Sequence, residues 1–192
     1  MRYFKIFLLP YLFLVVFIFT CNNEKYDIPE VGDTIPAFQA NDQNGNLWRS
    51  TDHLETGYLV VYFYPAAMTG GCTKQACGFR DNKLTLDDFE VEVVGISGDP
   101  VKNLKIFEKS NNLNFTLLSD VSGKISKIFG VPVKQGGSVV KELDDNEITL
   151  IRALTPARWT FILDKNSKIV FKNTDVNAEN DSNSVVDFLN KL

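Results

Sequence analysis

Beyond residue 57 the chain alternates short apolar runs with stretches in which apolar and polar positions recur at helical spacing. Residues 58–64 (YLVVYFY) are almost wholly β-branched or aromatic, the composition of a buried strand. Pro65 removes a backbone donor and ends its pairing. A helix is expected over 72–86, opening near Thr69 or Gly71, followed by a strand over 91–97 and a turn through Gly98, Asp99 and Pro100. A second helix over 101–111, a strand over 115–118 and a short helix over 122–129 continue the alternation. Strands at 159–163 and 169–172 flank Asp164, Lys165 and Asn166 as a late hairpin, and a helix over 184–192 closes the chain. Upstream, 37–40 and 47–48 flank an Asn44-Gly45 turn and read as a small hairpin. Residues 136–154 follow neither period and are left unassigned, whereas 173–184 (NTDVNAENDSNS) is polar enough for a loop or a cap.

Strand and helix alternating early, then a hairpin and a terminal helix, predict an α/β domain of three layers with a central mixed β-sheet flanked by helices. A thioredoxin-like architecture fits that order. Of the 192 residues, 29–192 are expected to form one such domain. Residues 1–20 are different: Arg2 and Lys5 precede an unbroken apolar run over 6–19, the pattern of a secretory signal. Cys21 and the polar residues after it resemble a bacterial lipoprotein processing site, with 21–28 as a polar tether. An uncleaved anchor is the alternative, and either arrangement places the protein at a membrane, on the periplasmic or cell-surface side.

A formal net charge of -4 and the absence of any Lys/Arg block argue against a nucleic-acid partner. The single histidine, His53, leaves little material for Cys/His catalysis or a histidine-rich metal site, and no cofactor is implied. The informative residues are two cysteines. Cys72 falls in the first turn of the expected helix, where unpaired backbone N–H groups and the helix dipole favour thiolate over thiol. Cys77 lies five positions on, which in an intact helix means roughly 7.5 Å of rise, about 140° of rotation and Cα atoms roughly 9 Å apart. A disulfide needs less than about 7 Å. The two thiols can therefore join only if at least one turn unwinds.

Pro65, Thr69 and Cys72 form a Pro-x-x-x-Thr-x-x-Cys pattern, followed by Cys77-Gly-Phe-Arg-Asp81. With the segments 94–100, 115–120 and 158–164, it resembles the peroxiredoxins, and among them the Q-type or bacterioferritin-comigratory group. The resemblance implies a thiol peroxidase acting on hydrogen peroxide and organic hydroperoxides. It makes Cys72 the peroxidatic cysteine and Cys77 the resolving one. Thr69 is then a hydrogen-bonding partner of sulfur and peroxide, Pro65 a shield, and Arg158 the cation beside the thiolate. Thioredoxin or a similar dithiol would recycle the disulfide, and a monomer is expected. Two departures stand out: Gly70 where many relatives carry Pro, and Gln75 where Glu is frequent, which removes a charge from the site. Two other readings are a membrane-anchored thiol-disulfide oxidoreductase, whose usual Cys-x-x-Cys spacing is shorter, and a copper carrier, which wants a late histidine.

Overall fold

The computed structural model describes residues 28–54, 57–143 and 145–192. The expected signal (1–20), the lipidated Cys21 and most of the tether lie outside these residues. Strands β1 (Gln39–Asp42) and β2 (Leu47–Arg49) form the first hairpin. Its turn is closed by the Asp42 carboxylate, which accepts from the N–H groups of Asn44 and Asn46, and by Gly45 at φ 84°. A 3-10 turn, Ser50–Asp52, follows. Then come β3 (Tyr58–Phe63), helices α1 (Gly70–Asp81) and α2 (Lys83–Asp88), β4 (Val91–Ser97) and α3 (Val101–Asn111). After them lie β5 (Thr116–Ser119), α4 (Lys124–Ile128) and a long hairpin of β6 (Val133–Leu143) and β7 (Asn146–Pro156). The chain ends with β8 (Thr160–Leu163), β9 (Ile169–Asn173) and α5 (Asp181–Leu189).

Seven strands make one mixed sheet in the order β2-β1-β5-β4-β3-β8-β9. β3, β4 and β5 run parallel, joined by helical crossovers, and β8 lies antiparallel to β3. Alternate residues of β3 feed the two faces. Val60 and Tyr62 pack with Ala76, Phe79, Leu86, Leu104, Phe107, Val185 and Leu189, so α1, α2, α3 and α5 cover one face. Leu59, Val61 and Phe63 pack with Ile125 and Phe129, so α4 covers the other. The thioredoxin-like, helix-flanked mixed sheet is thus observed.

Three boundaries differ from the sequence reading. The helix expected over 72–86 is two helices broken at Asn82, whose side chain leaves the helix line to donate to Ser182 Oγ (3.0 Å) and Asn183 Oδ1 (3.1 Å). The last helix begins at Asp181, inside the stretch read as loop or cap, because Asp181 and Ser182 are buried against α1. The unassigned 136–154 belongs to the β6–β7 hairpin, whose strands pair only with each other among the described residues. The hairpin is tied to the turn after β4 and to α3, where Ala153 N donates to Gly98 O at 3.1 Å and Asn103 Nδ2 to Ile151 O at 3.0 Å.

Candidate active site

β3 passes through Tyr64 and the half-buried Pro65 into a loop anchored by a buried carboxylate: Ala67 N donates to Asp99 Oδ2 at 2.9 Å. Ser97 Oγ and Asn103 Nδ2, each at 3.0 Å, hold Asp99 in turn. Met68 then adopts a left-handed φ of 63°. For a side chain other than glycine this conformation is unfavourable by about 1–2 kcal/mol, and such strain concentrates at functional sites.

Thr69 occupies the N-cap of α1 with an extended backbone, but its side chain makes no capping bond. Its hydroxyl donates instead to Ala66 O at 2.9 Å. Thr69 therefore does not cap α1 through its side chain, and with its proton committed to Ala66 its oxygen is left as an acceptor. The first turn of α1 carries no acidic residue either, so its positive end is uncompensated from within the helix.

Cys72 sits in that turn at 1 % exposure. Arg158, two residues ahead of Thr160, reaches across from the segment leading into β8, the strand beside β3, and places Nη2 3.3 Å from Cys72 Sγ. Its Nη1 donates to Gln75 Oε1 at 2.5 Å. Gln75, fully buried, donates through Nε2 to Asp181 Oδ2 at 2.7 Å, and Thr160 Oγ1 donates to the same oxygen at 2.7 Å. Burial pushes the Asp181 carboxyl above its ordinary value, against the opposing pull of the Gln75 and Thr160 donors and of Arg158. In the same core cluster, Tyr62 stacks on Phe79 with ring centroids 4.8 Å apart. Desolvation, then the neighbouring Tyr64 and Cys72, pushes its phenol well above the usual range, which keeps it neutral.

Cys77 is a half-buried free thiol on the same helix as Cys72, which is also free. Of the two basic residues on this helix, Lys74 is exposed and ion-paired with Glu179. Arg80 is held to the body of the protein, with Nη1 on Asn111 O at 2.6 Å and Nε on Asp81 Oδ1 at 2.8 Å. His53 stacks on Trp48 and meets Glu92 Oε2 at 2.8 Å. No group of three or more metal-ligating side chains occurs among the described residues.

The structure thus brings Cys72 and Arg158 together from positions 86 residues apart. It adds Gln75, noted in the sequence only for the charge it lacks, and Thr160 and Asp181, which carried no signal there. Asp181 was hidden because nothing in a polar stretch tells which residue will turn inward.

A helix-flanked mixed sheet with a buried cysteine opening the helix after its central strand defines a thioredoxin-like thiol protein. The AhpC/TSA family model matches residues 31–172, and the chain belongs to this family. Within it, the chain is similar to the chloroplastic peroxiredoxin Q of Sedum lineare, with 41 % identity over 144 residues, 74 % of this chain and 68 % of that protein. It is 37 % identical to a putative peroxiredoxin of Mycobacterium tuberculosis over 142 residues, 73 % of this chain and 82 % of the relative. A chloroplastic peroxiredoxin Q of Oryza sativa subsp. japonica matches at 39 % over 140 residues, 73 % of this chain but 57 % of the rice protein. The chain therefore spans little more than half the length of that relative. Among solved structures, peroxidoxin BcpB from Mycobacterium tuberculosis superposes with a TM-score of 0.72 at 30 % identity, covering 85 % of this chain and 97 % of its own. Xylella fastidiosa PrxQ gives 0.71 at 22 % identity over 84 % and 96 %, a likeness of fold.

Proposed function

We propose that the protein is a thiol peroxidase that reduces hydrogen peroxide and organic hydroperoxides. The observation that carries this reading is the guanidinium nitrogen 3.3 Å from a buried sulfur at an uncapped helix start. A cation and a helix dipole favour the thiolate, and burial keeps bulk water from the reacting oxygen. The Cys72 thiolate attacks one peroxide oxygen, the O–O bond breaks, and the other oxygen leaves as water or alcohol after taking a proton. Cys72 is then a sulfenic acid. Arg158 donates to sulfur and to the peroxide oxygens, Thr69 accepts from the peroxide O–H, and Pro65 shapes the loop that covers the sulfur.

The Cys77 thiol then condenses with the sulfenic acid, forming an S–S bond and releasing water. Since both cysteines belong to one helix, α1 unwinds locally to let them meet. A thioredoxin-like dithiol restores both thiols. The family membership and the four-residue gap between the cysteines support this cycle over a thiol-disulfide oxidoreductase of Cys-x-x-Cys type. Purified protein is expected to consume peroxide, with loss of two hydrogens between Cys72 and Cys77, and Cys72→Ser to abolish consumption. An unchanged rate in that variant overturns the reading.

The same proposal places the enzyme, as a monomer, on the outer side of a membrane. The charged start, the apolar run over 6–19 and Cys21 support export and lipidation, with 1–20 removed, 21–28 a tether and 29–192 the catalytic domain. Among the described residues no helix is long and apolar enough to cross a membrane. The mass of the native protein from its own membrane is expected to carry lipid at Cys21; a full-length chain with unmodified Cys21 refutes the lipid anchor in favour of an uncleaved one.

A further inference from the structure

Arg158 meets the reactive sulfur with one arm of its guanidinium and Gln75 with the other. Whether the second arm holds depends on which end of the Gln75 amide faces it. A carboxamide presents an acceptor at one end and two donors at the other, whereas a guanidinium is donor only and an ionised carboxylate acceptor only. Between an Arg and an Asp, the amide has one satisfied orientation: oxygen toward Arg158 and nitrogen toward the carboxylate. Turned over, it would set its N–H groups against those of Arg158 and its oxygen against a carboxylate, in a site where unmet polar groups are costly.

We propose that Asp181 is a positioning residue for the active site, fixing the Gln75 amide so that its oxygen holds Arg158 against Cys72. Asp181 is suited to this by place as well as by chemistry. It is 1 % exposed, at the first position of α5, so its carboxylate is reached from the α1 side by Gln75 and from the β8 side by Thr160. The Thr160 bond anchors the carboxylate to the start of β8, which Arg158 precedes by two residues, so one oxygen registers α1 and β8 against each other. Its second oxygen, Oδ1, is buried with no hydrogen-bond partner. A carboxyl retained in such a place is not explained by its contribution to stability, since a buried unpaired acceptor is unfavourable. The proposal rests on Cys72 being the reactive thiol but not on peroxide being its substrate.

The test is therefore read on thiol reactivity, without peroxide. Trypsin cleavage after Lys74 separates Cys72 from Cys77, so iodoacetamide labelling of the reduced full-length protein reports each thiol from its own peptide. Asp181→Ala is expected to slow Cys72 alkylation at neutral pH about tenfold, the scale of one lost hydrogen bond to a charged group, with Cys77 unaffected. Asp181→Asn, which restores an acceptor at the same place, is expected to recover most of that loss. Asp181→Leu, which fills the space without an acceptor, is expected to stay as slow as alanine, whereas a loss through packing alone would be recovered by it. If the alanine variant does not fold, the leucine variant carries the comparison. Folded alanine or leucine variants that alkylate Cys72 at the wild-type rate, or an asparagine variant as slow as they are, overturn the proposal.

Discussion

Asp181 is a charge placed where charge is unfavourable, and that has a consequence for stability. Its carboxyl is raised by burial, so between the ordinary carboxylate range and the raised value the folded protein holds a proton that the unfolded chain gives up. Stability on this account falls as pH rises through that window, and the deficit persists above it. Asp181→Asn, which does not titrate, is expected to be more stable than wild type at neutral pH and to lose that advantage below the ordinary carboxylate range. Urea midpoints of the two proteins at both pH values check this, and equal midpoints at neutral pH contradict it. Residue types and local spacing made Cys72, Thr69 and Pro65 legible from sequence alone. Which carbonyl takes the Thr69 proton was not legible, because the bond to Ala66 O forms beside the left-handed turn at Met68, which no propensity announces. Asp181 was illegible for a different reason: its partner Gln75 stands 106 residues away.

Between elements, the contact that matters is that of α1 with α5. Three ties join these regions: Lys74 to Glu179, Gln75 to Asp181, and Asn82 to Ser182 and Asn183. Unwinding α1 to join its two thiols must loosen this contact, so the strength of the Lys74 and Asn82 ties, neither of which touches Arg158, tunes the second half of the proposed cycle and leaves the first half alone. Asn82→Ala removes two hydrogen bonds from the C-terminal end of α1, each worth about 0.5–1.5 kcal/mol. It is expected to speed disulfide formation several-fold after a peroxide pulse, while the initial oxidation of Cys72 keeps its rate; quenched mass analysis separates the two. No acceleration would mean that opening does not involve this end of α1. The break at Asn82 escaped the sequence reading for the same physical reason. Neither Pro nor Gly marks it, and the backbone bond from Leu86 N to Asn82 O (3.0 Å) continues across it. What interrupts the helix is a side chain serving a partner near the other end of the chain.

Across the whole molecule, the buried strands were readable because their apolar runs suffice to define them, whereas β6 and β7 were not. Burial alternates over 138–143 and 147–154, but Val140 and Ile151 stand on the exposed side while Lys141 and Arg152 stand on the half-buried one, so the sequence carries no matching alternation of apolar and polar residues. Their attachment depends on Gly98, where a Cβ would lie 2.3 Å from the Leu154 carbonyl oxygen. Gly98→Ala is therefore expected to force β7 away from the end of β4 and expose 133–156 to limited proteolysis, leaving the seven-stranded sheet folded. Resistance equal to wild type would show that the arm tolerates the shift. The site itself depends on sheet order: β8 lies directly beside β3, so the end of one strand meets the beginning of the other. This divides the centre into a part that travels and a part that stays. In the proposed cycle the sulfurs ride on a helix that opens and closes, while the guanidinium stands two residues before β8, a strand held on both sides by β3 and β9. When the thiols are paired and the helix is open, Arg158 still marks the place Cys72 has left. In the proposed cycle each turnover thus returns the chain to a fixed landmark, and the precision of the recovered site is set by the sheet rather than by the helix that rebuilds it.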